Sequence, residues 1–427
     1  MTARAFLDDL FRIAIAAAHP SACLPAHLPP PPASGRLILL AAGKAAGSMT
    51  EVAERHYLDA GFPASRLVGL AVTRHGYGRP TKQIEVVEAG HPVPDAAGLA
   101  AAQRTLEIAN SATADDVVLV LMSGGASANW IAPADGLSFA DKQAVTRALL
   151  RSGAHIGEMN TLRKHLSRIK GGRLAKCAQP ARVITLSISD VPGDDPAVIG
   201  SGPTVPDPST LADARAIVAK YKLQLPDAIA RALNDPGNES PKPGEAMFAN
   251  TEYKLIARPA DAFRAAEAAV RKAGYEPVML GDRVEGEARE VAAQQARHAL
   301  SLQRNAHKAV ILSGGELTVT IRGQGRGGPN QEYALALVSA LNGAPGIAAL
   351  AGDTDGTDGG GGSATDPAGA AVDPTSLARA RALGLDPAAF LANNDSTGFF
   401  SKMGDLVETG PTCTNVNDFR AIVVDRP

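Results

Sequence analysis

The sequence predicts an α/β protein built from mainly parallel sheets flanked by helices, and two of its patterns favour this class. Apolar segments of strand length alternate with alanine-rich segments of helical pattern along the whole chain. The apolar segments are hydrophobic on both faces and lead into glycine, serine or aspartate, as buried parallel strands do where their loops face a ligand. They are residues 36–43, 117–125, 182–190, 308–316 and 346–353.

Two segments between these strands are predicted to be helices. Residues 95–110 are alanine-rich, and Asp95 is placed where a side chain caps the first turn of a helix. Residues 138–153 have the same helical pattern. Alternation of such helices with apolar strands is typical of parallel α/β domains.

The length of the chain predicts more than one domain. Its 427 residues exceed what a single hydrophobic core usually serves. Residues 234–245, NDPGNESPKPGE, have no helical or strand period and are typical of a linker. We therefore predict domains at residues 1–240 and 246–427. The similar strand ends LMSGGA and ILSGGE would fit two related domains, although six matched positions could also be coincidence.

Composition excludes several classes of partner. Lys plus Arg (42) nearly balance Asp plus Glu (44), and aromatic residues make up 4%, so neither a nucleic acid nor a membrane surface is an expected partner. Three widely spaced cysteines fit neither a metal site nor a disulfide framework and suit a reducing cytoplasm. The first residues read as an amphipathic helix rather than a signal peptide, and no apolar stretch is long enough to span a bilayer. The expected protein is soluble and cytoplasmic, and a homo-oligomer is compatible with the sequence.

A glycine-rich loop follows each of the first two predicted strands. The first, AAGKAAGSM, carries Gly43 and Lys44, and the second is SGGASAN. Backbone N–H groups in such loops bind phosphate oxygens, and a lysine adds a point charge. Tight turns also need glycine for their dihedral angles. The first loop alone fits an ordinary turn with a solvated lysine better than a phosphate site, and the second fits either role equally well. The candidate anion-binding residues of the second loop are Ser123, Gly124, Gly125 and Ser127.

A long loop rich in glycine, proline and aspartate follows the third strand, at residues 187–207. Asp190 comes directly after that strand, where a carboxylate could accept a hydroxyl proton or hold Mg²⁺. Loops of this length are often functional. A capped surface turn is the alternative interpretation, and it fits Asp194 and Asp195 better than Asp190.

A second acidic loop, AGDTDGTDGGGGSATDPAG, follows the last predicted strand. Asp353, Asp355 and Asp358 offer the oxygen ligands that Mg²⁺ or Ca²⁺ prefers. The spacing is not that of an EF-hand, and a flexible glycine loop with solvated acids gives the same pattern.

Basic residues and histidines complete the candidates. Residues 160–175 have a helical pattern that would place Arg163, Ser167 and Lys170 on one face, since residues three and four apart are neighbours. Such a stripe is usually solvated, yet the glycine pair that follows suggests a close approach. His91 stands in no triad-like context, and its role stays open.

Residues 322–332, RGQGRGGPNQE, contain the G-x-G-x-x-G spacing of a dinucleotide-binding turn. Three details fit a hydride-transfer enzyme poorly. Arg326 stands inside the turn, Pro329 and Asn330 interrupt the close helix packing that the third glycine serves, and the preceding ELTVTI alternates like a half-exposed strand. A lone glycine motif therefore leaves a different phosphate site open.

The chain resembles the class II glycerate kinases, which carry a C-terminal MOFRL-type domain. The matching segments keep their order over nearly the whole length: GKAAGSM, EAGHPVPD, LMSGGASA, NTLRKHLSRIKGGRLA, SDVPGDDPAVIGSGPT, GGPNQEYALAL, AGDTDGTDG and NNDSTGFF. The resemblance implies two Rossmann-like α/β domains with an active-site cleft between them. It further implies transfer of the γ-phosphoryl group of ATP to a hydroxyl of D-glycerate with Mg²⁺, giving 2-phosphoglycerate or 3-phosphoglycerate.

The resemblance places the family's basic catalytic positions on Lys44 and Arg326. Phosphoryl transfer needs positioning and charge neutralisation, so we expect these cations on either side of the γ-phosphoryl group, with Asp190 at the substrate hydroxyl. Arg163 is expected to pair with the glycerate carboxylate. The remaining expected roles are Mg²⁺ ligands at Asp353 and Asp355, and nucleotide contacts at Gly43, Ser123, Gly124, Gly125, Ser127, Ser313, Gly314, Gly315 and Asn330.

Two alternatives stay open at this point. Members of the family are often named hydroxypyruvate reductases, which would use NAD(P)H. A non-catalytic protein that binds sugar phosphates would also use glycine-rich phosphate cradles.

Overall fold

The computed structural model describes residues 2–361 and 363–425, and the chain divides into two compact units. The parallel-sheet unit is Cys23–Ile256. The mixed-sheet unit combines the residues before Cys23 with those that follow Ile256. The predicted α/β class is confirmed for the chain.

The division differs from the predicted domains, residues 1–240 and 246–427, at both boundaries. Helix α1 (Ala3–Ala18) belongs to the mixed-sheet unit, because Phe6 stacks on Tyr275 with ring centroids 5.3 Å apart. The segment 234–245 lies inside the parallel-sheet unit, because the strand that follows it still joins the sheet of that unit. A polar segment without a period marks a loop, and a loop does not have to be a domain boundary.

The parallel-sheet unit is built on a sheet of six strands in the order β3-β2-β1-β4-β5-β6. The pairs β1–β2, β1–β4, β2–β3 and β4–β5 are parallel. This confirms the first three predicted strands. The strands are β1 (Leu37–Ala42), β2 (Leu67–Arg74), β3 (Glu85–Ala89), β4 (Val117–Met122), β5 (Arg182–Ile188) and β6 (Thr251–Ala257).

Both helices predicted between these strands are confirmed, and so is the predicted cap at Asp95. The Asp95 carboxylate accepts a 2.9 Å hydrogen bond from the Gly98 amide, and Ser138 caps the later helix through the Asp141 amide. The helices of this unit are α3 (Ala46–Asp59), α4 (Ala96–Asn110), α5 (Ala126–Asn129), α6 (Phe139–Ser152), α7 (Ile156–His165), α8 (Arg173–Cys177), α9 (Leu211–Lys220) and α10 (Asp227–Asn234). The short helix α2 (Pro20–Cys23) precedes them and lies almost wholly in the mixed-sheet unit. Short 3₁₀ turns occupy Pro25–His27, Ala64–Arg66, Ile199–Ser201, Pro236–Asn238 and Ala246–Asn250.

The predicted single helix at 160–175 is wrong, because the chain breaks between α7 and α8. The Ser167 hydroxyl accepts hydrogen bonds from the amides of Ile169 and Lys170, which forms a local turn in place of helical bonds. Gly171 and Gly172 then take positive φ values of 58° and 80°. No helical face therefore joins the basic residues of this segment.

The main sheet of the mixed-sheet unit has the order β13-β12-β11-β14-β9-β7. Its strands, with the separate pair β8 and β10, are β7 (Glu276–Met279), β8 (Gly286–Glu287), β9 (Ala309–Gly314), β10 (Leu317–Thr318), β11 (Ile347–Asp353), β12 (Gly369–Val372), β13 (Leu406–Val407) and β14 (Asp418–Val424). The helices are α11 (Pro259–Lys272), α12 (Ala288–Arg304), α13 (Pro329–Leu341), α14 (Ser376–Ala382), α15 (Pro387–Ala392) and α16 (Ser396–Met403).

This second sheet corrects the expectation of mainly parallel pairing. Only β7 and β9 pair in parallel, whereas β14 lies antiparallel between β9 and β11, and β12 and β13 continue antiparallel. The predicted strands β9 and β11 exist, but they are not neighbours. A strand buried on both faces is apolar throughout whichever direction its neighbours run, so the sequence pattern did not reveal this direction.

None of the helices in the described part of the chain is long and apolar enough to cross a membrane.

Candidate active site

The strand order of the parallel-sheet unit reverses between β1 and β4, and the candidate site lies at their carboxyl ends. Such a switch point opens a crevice in parallel sheets. The last residues of the two strands, Ala42 and Met122, are register partners. The two predicted glycine-rich loops follow these residues directly and are therefore neighbours.

Hydrogen bonds fasten the two loops to each other. The Lys44 amide donates to the Gly124 carbonyl oxygen at 2.8 Å, and the Ala45 amide donates to the Ser123 hydroxyl at 2.9 Å. Ser123 is fully buried. Its hydroxyl thus holds the loops together. This structural role accounts for a serine at position 123 without a bound phosphate.

Two glycines are required by these contacts. Gly43 has φ +118°, and a Cβ there would lie 2.4 Å from the Ser123 hydroxyl oxygen. Gly125 has φ +87°, and a Cβ there would lie 2.9 Å from His91 Cδ2 and 3.3 Å from Lys44 Cγ. A side chain at residue 125 would therefore crowd both the imidazole ring of His91 and the stem of Lys44.

The second loop keeps two backbone donors available. Within the described residues, the amides of Gly124 and Gly125 donate to no protein acceptor, whereas those of Lys44 and Ala45 are already bonded. Buried amides usually find an acceptor. The turn at 124–125 is thus the part of the predicted cradle that can still bind an anion.

A cavity of about 220 Å³ adjoins this turn. Arg163 lines it, as do Gly125 and Ser127, whose hydroxyl lies 2.7 Å from that of Ser201. The other lining residues are His91, Pro92, Pro94, Ala128, Ile131, Lys142, Thr146 and Lys170. The structure therefore brings the predicted substrate residue to the predicted anion turn.

The walls of this cavity are strongly cationic. Lys142 is 5% exposed and Lys170 is 2% exposed. Burial, together with the charges of Arg163 and Arg173, lowers the pKa of Lys142 to about 7. Burial and the neighbouring Lys142 and Arg163 hold the pKa of Lys170 well below its usual value. Burial also lowers the pKa of Arg163.

Lys142 is the residue of this site that the sequence analysis missed. It lies on α6 three residues before Val145 and seven before Leu149, both of which are buried. Lysine is almost never fully buried without a partner. The available signal was therefore a lysine on the apolar stripe of an amphipathic helix.

Asp190 lies at the same edge of the sheet, two residues after the end of β5, and is half-buried. Strand β5 is the neighbour of β4, and Ser187 is the register partner of Met122. The Asp195 carboxylate accepts the Ala197 amide at 2.9 Å, as expected for a capped turn.

Arg326 lies in the mixed-sheet unit, on a loop whose backbone is fixed. Its amide donates to the Asp395 carboxylate at 3.2 Å, and its carbonyl oxygen accepts from the Thr397 amide at 2.9 Å. The residue itself is exposed. The loop therefore holds the main chain while the guanidinium group remains accessible.

The helix that follows this loop does not offer its N-terminus to a ligand. The Asp358 carboxylate accepts from the Asn330 amide at 3.0 Å and from the Gln331 amide at 2.8 Å. The side-chain amide of Asn330 donates to Asp358 and to Asp418. Burial, and the repulsion from Asp418, raises the pKa of Asp358 to about 7. Asn330 thus belongs to a buried network rather than to an open nucleotide site.

This geometry bears on the dinucleotide interpretation. A dinucleotide fold binds its pyrophosphate at the N-terminus of the helix after the glycine turn and places a central strand before it. Here a carboxylate occupies the first amides of α13, and β10 is two residues long and pairs only with β8. The glycine spacing therefore lacks the structural context that a dinucleotide site requires.

The predicted cradle at 313–315 is accounted for by packing. The Ser313 hydroxyl is buried and shares hydrogen bonds with the Gln295 side chain. A Cβ at Gly314 would lie 2.5 Å from the Phe263 ring, and one at Gly315 would lie 2.3 Å from the Val284 nitrogen. These residues are needed for close approach inside the unit.

The predicted Mg²⁺ residues lie together at the end of β11. The Asp355 amide donates to Asp353 Oδ1 at 2.9 Å, and Asp355 Oδ1 accepts from the amide and the hydroxyl of Thr357. Asp355 is buried, and Asp353 is half-buried. The described residues contain no group of three or more acidic, histidine or cysteine side chains arranged for a metal. One or two carboxylates suffice for Mg²⁺ that is held mainly by phosphates and water, and Asp353 fits that more limited role.

The fold and the site together define a two-unit α/β protein with a cationic switch-point site, and the comparisons with known proteins give its family. The family model described as a domain of unknown function, DUF4147, matches residues 6–234, and the MOFRL family model matches residues 309–418. The chain belongs to the class II glycerate kinase family, which combines these two regions.

Individual relatives agree over most of the chain. The D-glycerate 2-kinase of Thermotoga maritima is 39% identical over 90% of this chain and 89% of its own length. The crystal structure of a glycerate kinase from Thermotoga maritima is similar with a TM-score of 0.85 and 36% identity, covering 99% of both chains. A protein of Agrobacterium vitis, provisionally named a hydroxypyruvate reductase, is 49% identical over 99% of this chain and 95% of its own.

Proposed function

We propose that this protein is an ATP-dependent glycerate kinase that transfers the γ-phosphoryl group to the 2-hydroxyl of D-glycerate. One observation carries the proposal beyond the family relationship. Gly125 lines the cationic cavity, and a Cβ added to Gly125 would lie 3.3 Å from Lys44 Cγ. A lysine suited to phosphate thus adjoins a cavity suited to a small acid.

In the proposed reaction the hydroxyl oxygen of glycerate attacks the γ-phosphorus. A new oxygen–phosphorus bond forms as the bond to the bridging oxygen breaks, and ADP leaves with that electron pair. The hydroxyl proton passes to the Asp190 carboxylate. Such transfers depend mainly on positioning and on neutralising the phosphoryl oxygens.

Charge neutralisation is assigned to Lys44 and Arg326. The amides of Gly124 and Gly125 donate to phosphate oxygens alongside Lys44. Lys44 and Arg326 belong to different units, so the mechanism requires both to reach one phosphoryl group during turnover, with exclusion of water.

Magnesium would be held chiefly by the nucleotide. We assign its protein contact to Asp353, with Asp355 holding the loop through Thr357. When bound, the ion neutralises charge on the β- and γ-phosphate oxygens.

We propose the 2-hydroxyl as the phosphorylated group because two relatives are named 2-kinases. The Thermotoga maritima protein is named D-glycerate 2-kinase, and a Pyrococcus horikoshii relative, 37% identical over 91% of this chain, is named glycerate 2-kinase. Phosphorus NMR of the product made from ATP and D-glycerate tests this directly. The expected product is 2-phosphoglycerate; 3-phosphoglycerate would overturn the position, and no phosphorylated acid would overturn the function.

A hydroxypyruvate reductase is the function that the name of the Agrobacterium relative suggests. The structure gives a reductase no support. The Asp358 carboxylate already accepts hydrogen bonds from the first amides of α13, which a bound pyrophosphate would need. Loss of nicotinamide absorbance on adding hydroxypyruvate and NADH would establish a reductase. We expect none.

A further inference from the structure

Three cationic side chains line one small cavity, and no acidic residue is among the described residues that line it. We infer that Lys142, Arg163 and Lys170 together bind the carboxylate of the acceptor substrate, so that Lys142 and Lys170 restrict the acceptor to acids. This inference rests on the proposed function, which places the acceptor beside Lys44. It adds two specificity-determining residues to the Arg163 contact.

Both lysines are buried, and each makes one hydrogen bond to a carbonyl oxygen. Lys142 Nζ donates to the Arg163 carbonyl oxygen at 3.4 Å, and Lys170 Nζ donates to the Ser127 carbonyl oxygen at 2.8 Å. In the described residues no carboxylate lies within 4.0 Å of the charged nitrogens of Lys142, Arg163 or Lys170. Burying a charge without an opposite charge costs free energy. Each ammonium group has three N–H donors, and a single carbonyl acceptor leaves the others without a partner. An anionic ligand would supply the missing counter-charge.

Another buried lysine in this unit is neutralised by an acidic side chain. Lys164 is 7% exposed, and its ammonium group lies 3.3 Å from the Asp207 carboxylate. The chain therefore neutralises this buried lysine with its own aspartate, which lies 43 residues later in the sequence. Lys142 and Lys170 have no such partner among the described residues, and both face the cavity.

The size and lining of the cavity favour a short acid over a nucleotide. Its volume of about 220 Å³ is below the roughly 300–1,000 Å³ of pockets for drug-sized ligands. Pro92, Ala128 and Ile131 provide apolar wall, which would face the carbon chain of an acceptor. The phosphates of ATP are the other anions at this site, and they are assigned to the turn at 124–125.

The test compares charge-removing variants with a matched control in the full-length protein. K142M and K170M keep an apolar stem and remove the ammonium group. K176M makes the same change at an exposed position on α8. Steady-state kinetics give KM for D-glycerate and KM for ATP separately, and calorimetry gives D-glycerate binding without nucleotide.

We expect KM for D-glycerate to rise in K142M and in K170M. A hydrogen bond to a charged group contributes about 1.5–3 kcal/mol, which corresponds to a rise of about 10- to 100-fold. KM for ATP should stay within about twofold, and K176M should match the wild type. Glycerol, which has a hydroxymethyl group in place of the carboxylate, should be a poor acceptor for the wild type.

Two results would overturn the inference. One is unchanged D-glycerate affinity in both variants. The other is a rise in KM for ATP instead, which would place a nucleotide phosphate in the cavity. Both variants should fold, since each removes an unneutralised buried charge, and a retained or raised melting temperature checks this.

The two levels of the proposal fail separately. If the wild type binds D-glycerate in the calorimeter through Lys142 and Lys170 but releases no ADP, the inference stands and the kinase function fails. If the wild type phosphorylates D-glycerate while K142M and K170M bind it normally, the function stands and the inference fails.

Discussion

The amide of Lys44 donates a 2.8 Å hydrogen bond to the carbonyl oxygen of Gly124, which joins the loops after two adjacent parallel strands. This bond fixes the position of the Lys44 backbone independently of its side-chain charge. It also fixes the turn whose next residue is Gly125, where an added Cβ would lie 3.3 Å from Lys44 Cγ. The phosphate turn and the lysine are thus parts of one local structure.

Removing the charge of Lys44 should therefore slow turnover without unfolding the protein. K44M is expected to lower kcat by on the order of 10²- to 10³-fold, as loss of a single electrostatic donor commonly does. Its melting temperature should change little, because the backbone bond to Gly124 remains. Initial rates and thermal unfolding measured on the same preparations check both points, with K176M as the control.

Arg326 should behave in the same way within the mixed-sheet unit. R326A is expected to reduce kcat by a similar factor, while the main chain stays held by Asp395 and Thr397. R322A is the matched control, since Arg322 is also an exposed arginine on this loop. Equal activity of R326A and wild type would remove Arg326 from the mechanism.

Alanine substitutions at Gly125 and Gly136 distinguish the effect of backbone strain on stability from the effect of crowding in the site on activity. Both have positive φ, 87° and 77°, but a Cβ at Gly136 meets nothing within 4 Å. G136A and G125A should each lose on the order of 1 kcal/mol of unfolding free energy, because alanine disfavours positive φ. Only G125A should also lose kcat/KM, since its Cβ presses on His91 and Lys44. Equal activity of the two variants would contradict the proposed position of the site.

The affinity for D-glycerate should depend on pH through Lys142. Its pKa is lowered to about 7, so below pH 7 the group is cationic and binds a carboxylate, and above it the charge is lost. KM for D-glycerate should therefore rise as pH increases through about 7. The charged groups around it are Arg163, Arg173 and Lys170, and His91 also lines the cavity.

The pH profile of K142M separates Lys142 from His91. If Lys142 is responsible, the rise in KM near pH 7 should disappear in the variant. Persistence of the full rise would assign the titration to His91 or to another group.

The ionisation of Lys142 should make the protein more stable as pH increases, whereas the affinity for D-glycerate should fall. Its folded-state pKa lies below its unfolded value, so the unfolded chain binds more protons between about pH 7 and the usual lysine pKa. The contribution of this residue to the free energy of unfolding therefore increases with pH in that window. Denaturant unfolding of wild type and K142M across this range checks the sign, which a smaller pH dependence in K142M would confirm.

The elements that carry the parallel-sheet site were predictable because their signals are local. Strands β1, β4 and β5 are continuous apolar segments, and Asp95 stands directly before an alanine-rich helix. The glycines at 43 and 125 mark loops at strand ends. Local sequence is sufficient for such features, since burial and capping act on neighbouring residues.

The features that were missed depend on contacts between distant residues. Helix α1 belongs to the mixed-sheet unit because it packs on Tyr275, and the sequence of α1 alone does not predict this contact. The antiparallel direction of β14 depends on its neighbours in the sheet. Asp358 reaches α13 from 28 residues away, and Lys142 is identified as functional only by the cavity it lines.

The most direct test of the account is ADP release measured by a coupled assay with and without D-glycerate. The account predicts rapid ADP release that requires D-glycerate in the wild type and is lost in the K44M/R326A double variant. An equal rate without D-glycerate, or an unchanged rate in the double variant, would contradict it.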